Sequence, residues 1–446
     1  MKKIILILAG LFLPWMLCAQ SNWKAIVRYD KQTAKTDLSN RLQKYAQIDS
    51  HAQPNTSAVP SSKQQLSFAK SLVKELKHIG AANVQVSKTG IVTADIPATQ
   101  NATVPVLALI AHLDAPAQAQ AQTLQNHAKN TSDFIVLDKE KNINLDMLNS
   151  PQLLQTRGHD LLTSNGTAAF GVESKAGLAI LMTAADYLLG NTTIPHGLIK
   201  IVLLPDSFSH AGAQALDIAK LGADYALVLD GAGKGSIAAE NFSGRSFSVV
   251  FNGRRDIARG EAIRSSFTDN LMMASDFHTL LPRYARPETT SGMQGYIWVD
   301  NIVTQDNRST ITGKIRAFKD ADLEQLSKQV QQIFNTVKSM YPRNTGAEIT
   351  FTDEFKNVQA NIPTAWTQTI KNALEQEDIP AQYTAVRDQT DFAVLTTRGL
   401  PAISLFTGAF HGGNSLEYAD VDIMAASLRG VMAILTANPA VFATTK

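Results

Sequence analysis

The sequence predicts an α/β protein: a mostly parallel sheet flanked by helices, interrupted partway by a smaller ferredoxin-like α+β unit. Three observations predict it. Short continuous apolar runs at residues 104–110, 198–204 and 225–229 alternate with amphipathic stretches, as strands buried on both faces by crossover helices do. Residues 241–354 then follow the order strand, helix, two strands, helix, strand. Beyond Glu354 the first pattern resumes, so the second unit is an insertion in the first.

Taken in order, residues 36–49 and 64–79 have helical apolar spacing, the second with Phe68, Leu72, Val73 and Leu76 on one face. Residues 84–96 alternate around Gly90 and read as a hairpin. The run at 104–110 reads as a central strand leading into Ala111-His112-Leu113-Asp114. Open α/β sheets place their chemistry at the carboxyl ends of such strands. A helix over 176–189, a strand over 198–204 and a strand over 225–229 that runs into Asp230-Gly231 come next. The insertion comprises a strand at 247–251, a helix at 270–281, strands at 295–303 and 309–318, a helix at 320–340 and a strand at 347–351. A helix near 364–377, a strand at 402–406 and a helix at 423–437 close the chain. Alternating Ala and Gln at 117–122 read as a loop, and no internal repeat is present.

With 446 residues, 44% apolar and 18% charged, the chain is globular in composition and too long for one compact core. Its 41 basic and 39 acidic residues leave a net charge of +2, which gives no electrostatic footing for nucleic acid or a membrane surface. A small neutral ligand fits better. Lys2 and Lys3 precede a largely apolar run at 4–18 that ends at Ala19-Gln20, the layout of a cleaved signal peptide. The run falls short of the ~20 residues that span a bilayer. A lipoprotein signal wants a small residue before the cysteine, and Leu17 is bulky. The expectation is a chain exported to the periplasm or secreted, with no membrane partner once the leader is removed. Cys18 is the only cysteine, so any metal in the mature chain must be held by His, Asp or Glu.

An imidazole with a carboxylate two residues on, at a strand end, is the pairing of a metal ligand with the group that orients it; His112 and Asp114 have that spacing. Asp230 reads either as a ligand or as a cap on the turn at 231–233. Eight stretches carry a resemblance across residues 36–436: RLQKYAQIDSHA from Arg41, ALIAHLD from Ala108, GVESKAG from Gly171, IPHGLIKIVLLPD from Ile194, LDGAGKG from Leu229, AENFSGRS from Ala239, TDFAVLTTRGLP from Thr390 and LFTG from Leu405. In this order they resemble the peptidase T family, among the co-catalytic zinc peptidases that include carboxypeptidase G and peptidase V. The resemblance implies a zinc-exopeptidase-like fold: a leader at 1–19, a catalytic-type body at 20–240 and 355–446, and a lid and dimerisation domain at 241–354. It also implies a tripeptide aminopeptidase, a homodimer through the lid, and two zinc ions sharing a bridging aspartate and a water that a neighbouring glutamate deprotonates.

Carried across by position, the resemblance makes His112, Glu173, Asp230 and His411 metal ligands, Asp114 the carboxylate orienting His112, and Arg387 a substrate-site residue. The departures are concentrated. Where the family has G-A-D-D-K-A-G, Glu173 replaces the bridging Asp and Ser174 the next; its extra methylene moves the oxygens by about 1.5 Å. Where the family has P-D-E-E-V-G, this chain reads Pro205-Asp206-Ser207-Phe208-Ser209-His210, with a hydroxyl for the general base and a phenyl ring for a second-zinc ligand. His210 matches no family ligand and reads as a solvated loop histidine. The lid's H-P-G-x-A motif is absent; Arg254, Arg255 and Arg259 stand there as a solvated charge run. The glycines after the family's arginine have become Asp388 and Gln389, which puts close backbone approach in doubt.

The count of surviving ligands suits one zinc rather than two. Three readings follow: a peptidase T homologue with reduced or lost hydrolysis that binds short peptides or a partner protein, a working tripeptide aminopeptidase with Glu173 or His210 as substitute, and a single-metal amidohydrolase on the same fold.

Overall fold

The computed structural model describes residues 23–99, 104–231, 233–254, 267–344 and 346–437. The expected leader, with Cys18, and Arg255 and Arg259 lie outside them.

The body is built on an eight-stranded sheet in the order Ala82–Val86, Val92–Ile96, Ile199–Leu204, Leu107–His112, Tyr225–Gly231, Ala402–Phe406, Ser236–Asn241, Gln382–Val386. Its four central strands, from Ile199–Leu204 to Ala402–Phe406, pair in parallel. Antiparallel pairs flank them on both sides. Leu107–His112 and Ala402–Phe406 are buried along their whole length, as strands covered on both faces must be.

The helix Val172–Leu189 is apolar nearly all round and buried nearly all round, packed between the sheet and the helices Lys31–Ala46 and Val421–Leu435. Gly177 makes that packing close: a Cβ there would lie 2.2 Å from the carbonyl oxygen of Leu229. The outer helices start at side-chain caps, Asp30 on the amide of Thr33, Ser62 on that of Gln65 and Asp420 on that of Ile423. Phe68, Leu72 and Leu76, four residues apart, form the buried stripe of Lys63–His78.

The insertion has its own antiparallel sheet, in the order Tyr296–Gln305, Arg308–Ala317, Ser243–Asn252, Gly346–Phe355. With the helices Asn270–Leu280 and Asp320–Met340 it encloses a separate core around Phe247, Phe251, Phe277, Ile311, Ile315 and Phe334. Strand order and connectivity are those of a ferredoxin-like sandwich.

Several regions differ from the expectation, among them the strands Ser236–Asn241 and Gln382–Val386, which it did not include. Residues 123–170 carry a hairpin, Phe134–Asp138 with Ile143–Asp146, and two strands of a small sheet, Gln125–His127 and Leu161–Thr163, completed by Tyr418–Asp420 and Ala409–Phe410. Strands this short offer too few positions for a two-residue period to stand out. The helix expected at 176–189 starts four residues earlier, at Val172, which puts Glu173 in its first turn. Among the described residues no helix is long and apolar enough to cross a membrane.

Candidate active site

His112 ends its strand with its ring fully buried between two carboxylates: Nε2 is 3.6 Å from Asp230 Oδ2, and Nδ1 is 3.3 Å from Asp391 Oδ2. Burial alone would lower its pKa, but Asp230, Asp391 and Asp114 outweigh it and carry the ring up to about 10. Asp230 arrives on the neighbouring parallel strand, so the pairing of Leu107–His112 with Tyr225–Gly231 sets the gap between the two side chains.

Asp114 sits differently from the expectation. It is completely buried, and its Oδ2 accepts both the backbone N–H and the hydroxyl of Ser207, each at 2.9 Å. Burial pushes its carboxyl up to about 7. The carboxylate on His112 Nδ1 is Asp391, in the first turn of the helix Asp391–Thr397. Sequence spacing favoured the near neighbour, whereas the chain brings the orienting group from a distant segment. The signal for it is the Thr390-Asp391 pair that opens the stretch TDFAVLTTRGLP.

The loop after Ile199–Leu204 carries the substitutions. Asp206 has a left-handed backbone (φ 53°), and its carboxylate accepts from Ser61 N and Gln65 Nε2, each at 2.7 Å, pinning the segment before Lys63–His78 to the sheet. Ser207–Ser209 form a single 3-10 turn, with Phe208 half exposed and facing no core. His210 closes that turn, also left-handed (φ 57°), and its Nδ1–H donates to Asp391 Oδ1 at 2.6 Å. A solvated loop histidine is therefore the wrong description of His210. One buried carboxylate, Asp391, takes up both imidazoles.

Glu173 lies against the loop that bears His411. A Cβ at Gly412 would fall 1.9 Å from its carboxyl carbon, so any larger residue there would push the Glu173 side chain aside. Burial, with the negative charges of Asp230 and Glu417, raises Glu173 to about 7. Glu417 is fully buried and caps the helix Val172–Leu189 from outside the helix: Oε1 accepts the backbone N–H groups of Phe170 and Gly171, the latter at 2.6 Å. A carboxylate suits the positive end of a helix whose own N-cap, Gly171, has no side chain. His411 is left-handed (φ 57°), its Nε2 is buried without a partner, and burial lowers its pKa.

Arg387 stands at the junction of body and lid. It donates to Thr290 Oγ1 at 2.7 Å, and its guanidinium lies 5.5 Å from the rings of both Phe242 and Tyr296. Arg254 forms an isolated bridge with Thr268 at the edge of the lid.

These donors match the family's metal pair only in part. His112 Nε2 and Asp230 Oδ2, with His112 Nε2 buried and unpartnered, have the separation of two ligands on one small cation. Glu173, the third donor the sequence suggested, lies against Gly412 and does not gather with them into a metal-binding group. At the second position a phenyl ring replaces the carboxylate, and among the described residues no three His, Asp or Glu side chains gather as a metal-binding group.

No family model matches the chain. Over 413 residues it is 30% identical to peptidase T of Geobacillus sp. (strain WCH70), covering 90% of this chain and 98% of the relative. It is also 30% identical over 382 residues to peptidase T of Clostridium botulinum (strain Loch Maree / Type A3), covering 84% and 93%. Among solved structures it superposes on aminopeptidase PepT from Bacillus cereus ATCC 10987 with a TM-score of 0.69 at 19% identity, covering 90% of this chain and 98% of that one. It superposes on the YXEP protein of Bacillus subtilis, a dinuclear metal binding peptidase from the M20 family, with a TM-score of 0.61 at 12% identity, covering 91% and 98%. Sequence identity of this extent, over nearly the whole of both chains, makes this protein a member of the peptidase T family.

Proposed function

We propose that this protein is an exported peptidase T homologue that binds short peptides in the cleft beneath its lid, with hydrolysis reduced or lost. One observation carries the reading: Ser207, at the position of the family's general base, gives both its amide and its hydroxyl to Asp114, and the adjacent ligand position is a phenyl ring. A hydroxyl has no useful basicity at neutral pH, and losing a general base costs on the order of 10²- to 10⁴-fold. His112 and Asp230, joined by Glu173 only if its side chain leaves Gly412, would be the donors to a single zinc, which would supply Lewis-acid charge to a peptide carbonyl. Asp391 lies 3.3 Å from His112 Nδ1, and Arg387 donates to Thr290 at the junction of body and lid.

Export rests on the leader at 1–19, and the expected mature chain begins at Gln20. A homodimer through the lid is supported by its outer strand, Tyr296–Gln305, where Trp298 and Val303 are about half exposed.

The test combines metal analysis, calorimetric titration with a tripeptide and a hydrolysis assay on the mature chain. Tripeptide binding with at most one zinc per chain and turnover depressed by ~10²-fold or more is expected. Two zinc ions with ordinary turnover would overturn the reading. N-terminal sequencing of exported material checks the cut before Gln20, and sedimentation checks the dimer.

A further inference from the structure

We propose that His210, held by Asp391, is the proton acceptor of this cleft, taking over one turn later the task that Ser207 cannot perform. The inference rests on the peptide-cleft reading above and adds a route for whatever hydrolysis survives there.

Ser207 opens a 3-10 turn that His210 closes, the His210 backbone N–H donating to the Ser207 carbonyl at 3.1 Å. Asp391 lies 2.6 Å from His210 Nδ1 and 3.3 Å from His112 Nδ1, so His210 stands one carboxylate away from His112. Ser207 reaches Asp114, and His210 reaches Asp391. The Ser207 hydroxyl hydrogen is committed to Asp114 Oδ2 at 2.9 Å, so that side chain cannot take a proton from water.

His210 is arranged for that task. Its Nδ1–H donates at 2.6 Å to a carboxylate that is 1% exposed, which leaves Nε2 as the lone-pair nitrogen. The imidazole itself is 20% exposed, and among the described residues Nε2 has no hydrogen-bond partner. A base within reach of solvent, oriented from behind by a buried acid, is the arrangement that activates a nucleophile in many hydrolases. Asp391 acts through His210 and is a positioning residue.

The step balances. As the water oxygen bonds to the peptide carbonyl carbon, an O–H bond of the water breaks, its proton passes to Nε2, and the carbonyl π pair moves onto oxygen. On collapse the C–N bond breaks and the same proton passes from Nε2 to the leaving amine.

The experiment compares the mature wild-type chain with His210→Ala, His210→Gln and Asp391→Asn, each assayed for release of the N-terminal residue from a tripeptide. Calorimetric binding of the same tripeptide is measured in parallel. Expected are a residual wild-type rate and a kcat lower by ~10²-fold or more in both His210 variants, with binding retained. Asp391→Asn should lower kcat and shift the His210 ring-proton resonance, and it should also lower Tm, because Asp391 is buried beside both His210 and His112. Wild-type turnover in His210→Gln, or a wild-type chain that binds tripeptide without cleaving any, overturns the proposal and leaves the peptide-binding reading standing. Loss of tripeptide binding by the wild-type chain overturns that reading instead.

Discussion

The back of the cleft and the loop facing it depart from peptidase T in different ways. At the back the departures are one methylene, Glu173 for aspartate, and Ser174 for the aspartate after it; the longer Glu173 lies against Gly412. In the loop a base and a ligand are replaced outright, while Asp206 beside them still locks Ser61 and Gln65 to the sheet. The back-wall groups are also structural: Glu417 caps a buried helix and Gly177 seats that helix on the strand of Asp230. A change there disturbs folding. Phe208, half exposed, holds up little by comparison, so a ligand can be lost from the loop while the fold stays intact.

Restoring the loop tests that contrast most directly. Ser207→Glu with Phe208→Glu should raise zinc content and increase tripeptide hydrolysis by on the order of 10²-fold or more, because the back wall is already in place. Atomic absorption and an amino-acid release assay read both quantities. No gain in either would mean that the longer Glu173 has spoiled the back wall as well.

The opposite test removes a back-wall group. Glu417→Ala strands the N–H groups of Phe170 and Gly171 in a buried site and should destabilise the chain by about 3 kcal/mol, at roughly 1–3 kcal/mol per orphaned donor. Denaturant unfolding measures it. A smaller structural effect is expected at Gly412→Ala, where the added Cβ collides with Glu173: about 1–3 kcal/mol of overpacking and a loss of bound zinc.

The same contrast explains what could be read from the sequence. The central strands are continuous apolar runs, and the lid helix Asp320–Met340 and the strand Ala402–Phe406 match the expected bounds because period and apolarity change sharply at their ends. The strands Ser236–Asn241 and Gln382–Val386 were missed: each is short, and neither is fully buried. The strand ends that carry His112 and Asp230 were legible, whereas the helix that carries Glu173 starts four residues before the expected bound. Asp391 was not assigned a role, since its partners lie about 180 and 280 residues away in sequence and only tertiary packing joins them. His210 was misread because a loop position says nothing about a buried carboxylate waiting across the cleft.

The smallest effect concerns the ion network behind the back wall. Lys35 lies 2.6 Å from Asp160 and 2.7 Å from Asp422, and Lys31 lies 2.8 Å from Asp422, joining the helices Lys31–Ala46 and Val421–Leu435 to the chain entering Leu161–Thr163. Burial would raise the Asp422 carboxyl, but Lys31, Lys35 and the Asp160 amide outweigh it and lower it from 3.8 to about 2. A depressed carboxylate contributes stability that is full above its unfolded value and is lost as pH falls through its folded one. The network should therefore weaken between 3.8 and about 2, and Asp422→Asn should flatten the stability profile in that window. Unfolding free energies of both chains, measured across acid pH, read the effect. Parallel curves would place the acid sensitivity of this scaffold elsewhere and would leave the back wall depending on packing rather than on its ion pairs.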